Sequence, residues 1–292
     1  MLIFLILSIL SSTAIVLIFK LFQKWKVHTF QAIVFNYLVC VLCGWMAMGK
    51  FPIRAGFWEE FWFPWAMLLG FLFIVGFNIV AMTVQRFNVT LATVMQKMSL
   101  LWTVMFAIVI YQEPLSWLKG IGILAALVAI LLVNISPKGK LFDWNITPRY
   151  LLALPLLTWL VSATIEMIFL HLEKQTGQSS DIGFITFLFG TAAILGSIRL
   201  LYGLSRGEFV FGWKNVGAGV VLGIPNFCSI YFLLKSLGIG LDGSVVFPIN
   251  NVSIIALSSL LAFILFREKL SSYNIIGVLV AILSIILIAI GR

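Results

Sequence analysis

The chain is poor in charge: Asp, Glu, Lys and Arg make up 10% of its 292 residues, where a soluble domain carries about 25%. That excludes an ordinary water-soluble fold. It has two histidines, His28 and His171, and ten acidic residues, too few for the cluster of acids, bases and nucleophile that a membrane enzyme needs. No cofactor is called for. Of its three cysteines, Cys40 and Cys43 form a C-x-x-C spacing that in another context would suggest redox chemistry or half a metal site. Here they lie inside the apolar stretch from Tyr37 to Trp45, with Cys228 the only other cysteine, and read as small packing residues. Acidic residues are also the minority charge, 10 against 19 Lys and Arg, for a net +9. The basic residues are scattered over helix ends (Lys20, Lys24, Lys26, Lys138, Lys140, Lys214, Arg267, Lys269), where they snorkel to headgroups. Without a continuous basic face to track phosphates, nucleic acid is excluded as a partner.

What the chain has is apolar surface: 62% hydrophobic residues and a mean hydropathy of +1.14. A transmembrane helix takes roughly 20 mostly apolar residues, and ten such stretches can be read, at 2–22, 29–49, 62–84, 89–111, 115–135, 150–172, 183–203, 215–236, 242–265 and 271–291. The short connections leave no room for a soluble catalytic domain. The first stretch has no basic residue before it and runs on past Ser11-Ser12-Thr13-Ala14 to Phe19, so it is expected to be a retained helix and not a signal peptide.

The chain repeats itself. Tyr111-Gln112-Glu113-Pro114-Leu115-Ser116 with Ile121-Gly122 matches Phe266-Arg267-Glu268-Lys269-Leu270-Ser271 with Ile276-Gly277 at a constant offset of 155. The same offset pairs Gln96 with Asn251, Thr103 with Ser258, Ala126 with Ala281, Ile130 with Ile285, Gln31 with Thr186 and Asn36 with Thr191. At an offset of 150, Ser8 and Ser12 match Thr158 and Ser162. Five helices per copy is an odd number, so the second copy enters the membrane from the opposite side. The expected repeats are residues 1–137 and 148–292. Inverted repeats are the usual construction of secondary transporters, in which exchanging the conformations of the halves moves access from one side to the other.

The segment from Gly70 through Ala81 and Lys97 to Glu113-Pro114-Leu115-Ser116 and Gly122, with its copy from Gly223 through Ser236 and Pro248 to Glu268-Lys269-Leu270-Ser271 and Gly277, resembles the EamA repeat of the drug/metabolite transporter superfamily over essentially the whole chain. Its most specific marks are the Glu-x-Leu-Ser turn and the glycine seven residues after that Leu. The resemblance implies an all-α integral membrane protein of the cell membrane, with ten transmembrane helices as two inverted five-helix repeats around a central cavity. It also implies transport, commonly efflux, of a small-molecule substrate such as an amino acid, drug, nucleotide sugar or phosphorylated metabolite.

Glu113 and Glu268 read as structural, since a carboxylate beside Pro114 and Ser116 suits the start of the helix that follows. A charge at membrane depth means more, because it costs about 2.5–3.5 kcal/mol on insertion scales and usually faces a polar interior. Lys97 lies roughly 14 Å into the fourth stretch, with Thr90 and Thr93 at helical spacing and Gln96 and Thr103 beside it. It is a candidate anchor for a carboxylate or phosphate. Glu166 shares a face with Thr158 and Ser162, and its repeat mate is Val16. It is a candidate proton-coupling site or counter-ion of Lys97, although helix counting sets it about 10 Å deeper. Asn36, Asn78, Asn226, Asn250 and Asn251 can serve as interhelical hydrogen-bond partners, and Pro248 beside Asn250-Asn251 frees a carbonyl that can line a cavity. The candidate substrate set is therefore Lys97, Gln96, Thr93, Asn250, Asn251, Asn78 and Asn226.

The expected function is secondary transport of a small polar metabolite by alternating access. Its rivals are proton-coupled export of cationic or apolar drugs through Glu166, and a non-transporting scaffold. Besides substrate, the partners are the lipid bilayer and a coupling proton, with the chain acting as a monomer or weak homodimer. Loops on the side of the termini hold Lys50, Arg54, Lys119, Lys174 and Lys235, and the opposite loops hold more basic residues. The positive-inside rule then leaves the termini outside, whereas the family resemblance implies cytoplasmic termini.

Overall fold

The computed structural model describes residues 2–49, 56–87, 89–135, 153–177, 179–267 and 270–291. Lys50, Arg54, Lys138, Lys140, Arg149, Glu268, Lys269 and Arg292 lie outside them, as do the expected repeat boundaries at 137 and 148 and the side chain of Thr90.

All the long elements are helices: α1 (Leu2–Lys24), α2 (Thr29–Met48), α3 (Phe63–Arg86), α4 (Val89–Lys97), α5 (Leu100–Tyr111), α6 (Trp117–Asn134), α7 (Ala153–Thr176), α8 (Ile182–Ser205), α9 (Trp213–Gly238), α10 (Gly243–Phe266) and α11 (Ser272–Ile290). They supply ten spans long and apolar enough to cross a membrane, with α4 and α5 sharing one. Their ends depart from the expected ones by only a few residues, because the ends carry local signals. Ser116 caps α6 by accepting the Lys119 N–H at 3.2 Å, Asp181 caps α8, and Ser271 with Asn274 forms a capping box on α11. The one departure in kind is the fourth span, which is interrupted at Met98–Ser99, where Leu101 N–H bonds Met98 O at 3.1 Å and the chain restarts as α5.

The helices form two compact units. The first holds Met1–Ile74 and Leu172–Ile239, the second Val75–His171 and Gly240–Arg292. Each draws on both copies of the repeat. In the first unit α2 packs on α8 and α9, and α9 also packs on α1. Small residues allow the approach: a Cβ at Gly223 would lie 2.6 Å from Val39. Polar ties fix the register there, with Asn226 Nδ2 donating to Asn36 Oδ1 at 3.1 Å, Asn215 Nδ2 to Gln31 Oε1 at 2.8 Å and Ser8 Oγ to Ser229 O at 3.0 Å. Cys40 is buried among them, its Sγ 3.4 Å from Gly223 O.

In the second unit α6 packs along α11. Gly122 faces Leu287 and Ile288, and Gly277 faces Leu132 and Val133. Adding 155 to 122, 132 and 133 gives 277, 287 and 288, so the two contacts are one contact repeated with the helices exchanged. Rising numbers on α6 meet falling numbers on α11, so matched helices of the two copies run antiparallel. That is what an inverted repeat requires.

Candidate functional site

The Glu-x-Leu-Ser turn does more than begin its own helix. Gln112 adopts a left-handed backbone, φ 52°, which turns the chain so that buried Glu113 points away from α6. Its Oε1 accepts the Gly243 N–H at 2.9 Å and its Oε2 accepts the Ser244 N–H at 2.8 Å and the Ser244 hydroxyl. The structural role expected of Glu113 extends beyond the helix that follows it: the carboxylate closes the start of α10, a helix of the other copy, and Ser116 caps α6. Lys119, whose side chain is fully buried, donates to Pro114 O at 2.9 Å and pairs with Asp242 at 3.5 Å. The turn between α5 and α6 and the start of α10 are thus locked to each other.

Two turns further along α10, past Pro248, lie Asn250 and Asn251, both buried. Proline has no N–H and leaves the carbonyl four residues earlier without its helical partner. Asn251 is where the membrane charges meet. Lys97, the last residue of α4, donates from Nζ to Asn251 Oδ1 at 3.1 Å, and Asn251 Nδ2 donates to Glu166 Oε1 at 2.9 Å. The other carboxylate oxygen accepts the Thr103 hydroxyl at 2.7 Å. Residue counting put Glu166 deeper than Lys97. The long lysine side chain and the bridging amide close that gap, so the pair is bridged by Asn251.

Around this cluster the second unit is tied by aromatic and polar contacts. Trp159 Nε1 donates to Met98 O at 3.0 Å, at the interruption itself, and its ring lies 5.6 Å from that of Trp102. Tyr111 and His171 bond at 2.6 Å. Together with Thr103 and Glu166 these contacts hold the α4–α5 span against α7 on both sides of the charge pair.

The other sequence candidates fall elsewhere. Gln96 is exposed. Thr93 is half-buried one turn before Lys97, and Asn78 is exposed on α3. Asn226 belongs to the first unit, with Asn36. Thr103 was legible only as a hydroxyl near Lys97, and Ser99 was not singled out by the sequence. The signal that picks them out is the helix interruption, which no proline or glycine marks. Among the described residues no three His, Cys, Asp or Glu side chains gather to hold a metal.

A model described as the EamA-like transporter family matches residues 1–135. An uncharacterized protein of Haemophilus influenzae is 26% identical over 288 residues, 96% of this chain and 95% of its own. A protein of known crystal structure has the same fold, with a TM-score of 0.74 at 16% identity over 97% of this chain and 94% of its own.

Proposed function

We propose that this chain, whose residues 1–135 match the EamA-like transporter family model, is a membrane transporter of that kind that exports a small polar metabolite carrying a carboxylate or phosphate, by alternating access of its inverted repeats. The observation that carries the reading is the Lys97–Asn251–Glu166 bridge at an interrupted membrane helix. Broken helices at membrane depth are where transporters of this construction hold their ligands. A lysine there is retained at a cost of about 2.5–3.5 kcal/mol, and its ammonium is held by a neutral amide, not by a carboxylate directly. An incoming anion offers it a stronger, charge-assisted partner. Asn251 then orients the ligand, and Glu166 is the counter-ion or proton-coupling group that balances Lys97 when no ligand is bound.

Thermal unfolding of the purified chain tests this against a panel of amino acids, organic anions, phosphates and cationic drugs. A ligand that binds the folded state stabilises it by RT ln(1 + [L]/Kd), about 2.7 kcal/mol at a hundred times Kd. Anionic or zwitterionic ligands should stabilise the unmodified protein and not Lys97→Ala. Stabilisation by cations alone, equal in both proteins, would replace this reading by cationic drug export through Glu166.

A further inference from the structure

Thr103 Oγ1 lies between two acceptors, Glu166 Oε2 at 2.7 Å and Ser99 O at 3.3 Å. A hydroxyl has one hydrogen and two lone pairs, so it can donate to only one of them at a time. With Glu166 ionised, Thr103 donates to Oε2. With a proton on Oε2, the new O–H donates to Thr103 Oγ1, and the Thr103 hydrogen turns to the Ser99 carbonyl. Asn251 Nδ2 donates to Oε1 in both states. Beside them the Ser99 hydroxyl is fully buried and has no hydrogen-bond partner, although it faces the Glu166 carboxyl. Buried hydroxyls in native proteins are rarely left unsatisfied, and a small rotation makes this one a second donor to the ionised Oε2.

We propose that Thr103 and Ser99 are positioning residues that make Glu166 a two-state proton site, in which either protonation state is fully hydrogen-bonded. Loading moves one proton from water to Oε2 and forms one O–H bond, and the Thr103 hydroxyl only rotates. Unloading is the reverse. The cluster passes from neutral to +1, which leaves the Lys97 ammonium without a balancing charge. Among the described residues, the titratable groups around Glu166 are these. Lys97 acts on it electrostatically, α10 brings no titratable side chain, and α5 brings only Tyr111, which bonds His171. This deepens the role given to Glu166 above and rests on that reading of the residue.

The test needs no substrate, so its failure is distinct from failure of the Lys97 anchor. The purified full chain in lipid nanodiscs is titrated from alkaline to acid pH, and the C=O stretch of a protonated carboxyl is followed by infrared difference spectroscopy. One band should appear that Glu166→Gln lacks. Thr103→Val should bind the proton about tenfold more tightly, because the ionised state loses a charge-assisted donor. Thr103→Ser should restore the original midpoint, and Ser99→Ala should shift it in the same sense by less. Thr103→Ala serves if Thr103→Val does not fold. A band unaffected by Glu166→Gln, or a hydroxyl-free variant whose midpoint stays within twofold of the unmodified protein, would overturn the proposal.

Discussion

Asn251 has the chemistry the charge pair needs, because its amide presents an acceptor to the ammonium and a donor to the carboxylate. Leucine has the same branched skeleton and offers neither. In Asn251→Leu both half-buried charges lose a partner, and the melting temperature should fall by the equivalent of about 1–3 kcal/mol. The pair should also be non-additive. Removing Lys97 with Met leaves Glu166 uncompensated and removing Glu166 with Gln leaves Lys97 so, whereas removing both leaves neither charge unbalanced. A double-mutant cycle read by thermal unfolding should return a coupling of about 1–3 kcal/mol, the double variant being more stable than the two single losses imply. Additive losses would mean that the two charges do not sense each other through the amide. At this scale the sequence was informative where depth alone is the signal, as for Lys97 and Glu166, since a charge deep in an apolar run stands out without any structure. Thr103 and Ser99 do not stand out, because hydroxyls are common in membrane helices and only geometry distinguishes a ligand from a packing residue. Gln96 shows the converse: it matches Asn251 in the repeat, yet its side chain is exposed while that of Asn251 is buried.

At the scale of the element, α10 joins a locked start to a polar middle. Its first two N–H groups are held by Glu113, Pro248 follows within the next turn and a half, and Asn251 comes after it. A buried carboxylate on helix N–H groups is a charge-assisted cap, worth more than the ~1 kcal/mol of an exposed Ser or Asp cap. Glu113→Gln keeps the shape but cannot accept on both arms, so it should cost about 1–2 kcal/mol. Glu113→Ala should cost about 2–4, because the Gly243 and Ser244 N–H groups are left unmet inside the protein. Ser116→Ala, at the exposed start of α6, should cost about 1 kcal/mol. Thermal unfolding in one detergent ranks the three, and equal losses would contradict the role of Glu113 as a long-range cap. The contrast explains which caps could be read from sequence. Ser116 and Ser271 act three residues away on their own helices, within reach of a local pattern. Glu113 acts 130 residues away, and no local pattern records that distance.

For the whole molecule, the antiparallel pairing of α6 with α11 makes Gly122 and Gly277 two instances of one contact. A Cβ would meet Ile288 at 2.7 Å in the first and the Val133 backbone nitrogen at 2.6 Å in the second. Either Gly→Ala change should therefore destabilise by a similar ~1–3 kcal/mol. The polar cluster does not share that symmetry. The repeat mates of Lys97, Thr103, Asn251 and Glu166 are Val252, Ser258, Gln96 and Val16, and Ser258 bonds only the Ile255 carbonyl of its own helix, at 3.1 Å. A symmetric frame thus carries an asymmetric charged site, placed where one copy holds a lysine and the other a glutamate. Binding should reflect the site and not the frame. An anion found to stabilise the protein should bind once per chain, and because it neutralises Lys97 it should favour the protonated state of Glu166, by the reciprocity that links any two ligands of one site. In weakly buffered solution, near the midpoint of the carboxyl titration, anion addition should take up protons, approaching but not exceeding one per chain. Glu166→Gln should bind the same anion without proton uptake. Two anions per chain would point to a second site built on the repeat mates, and proton release on binding would reverse the coupling between Lys97 and Glu166.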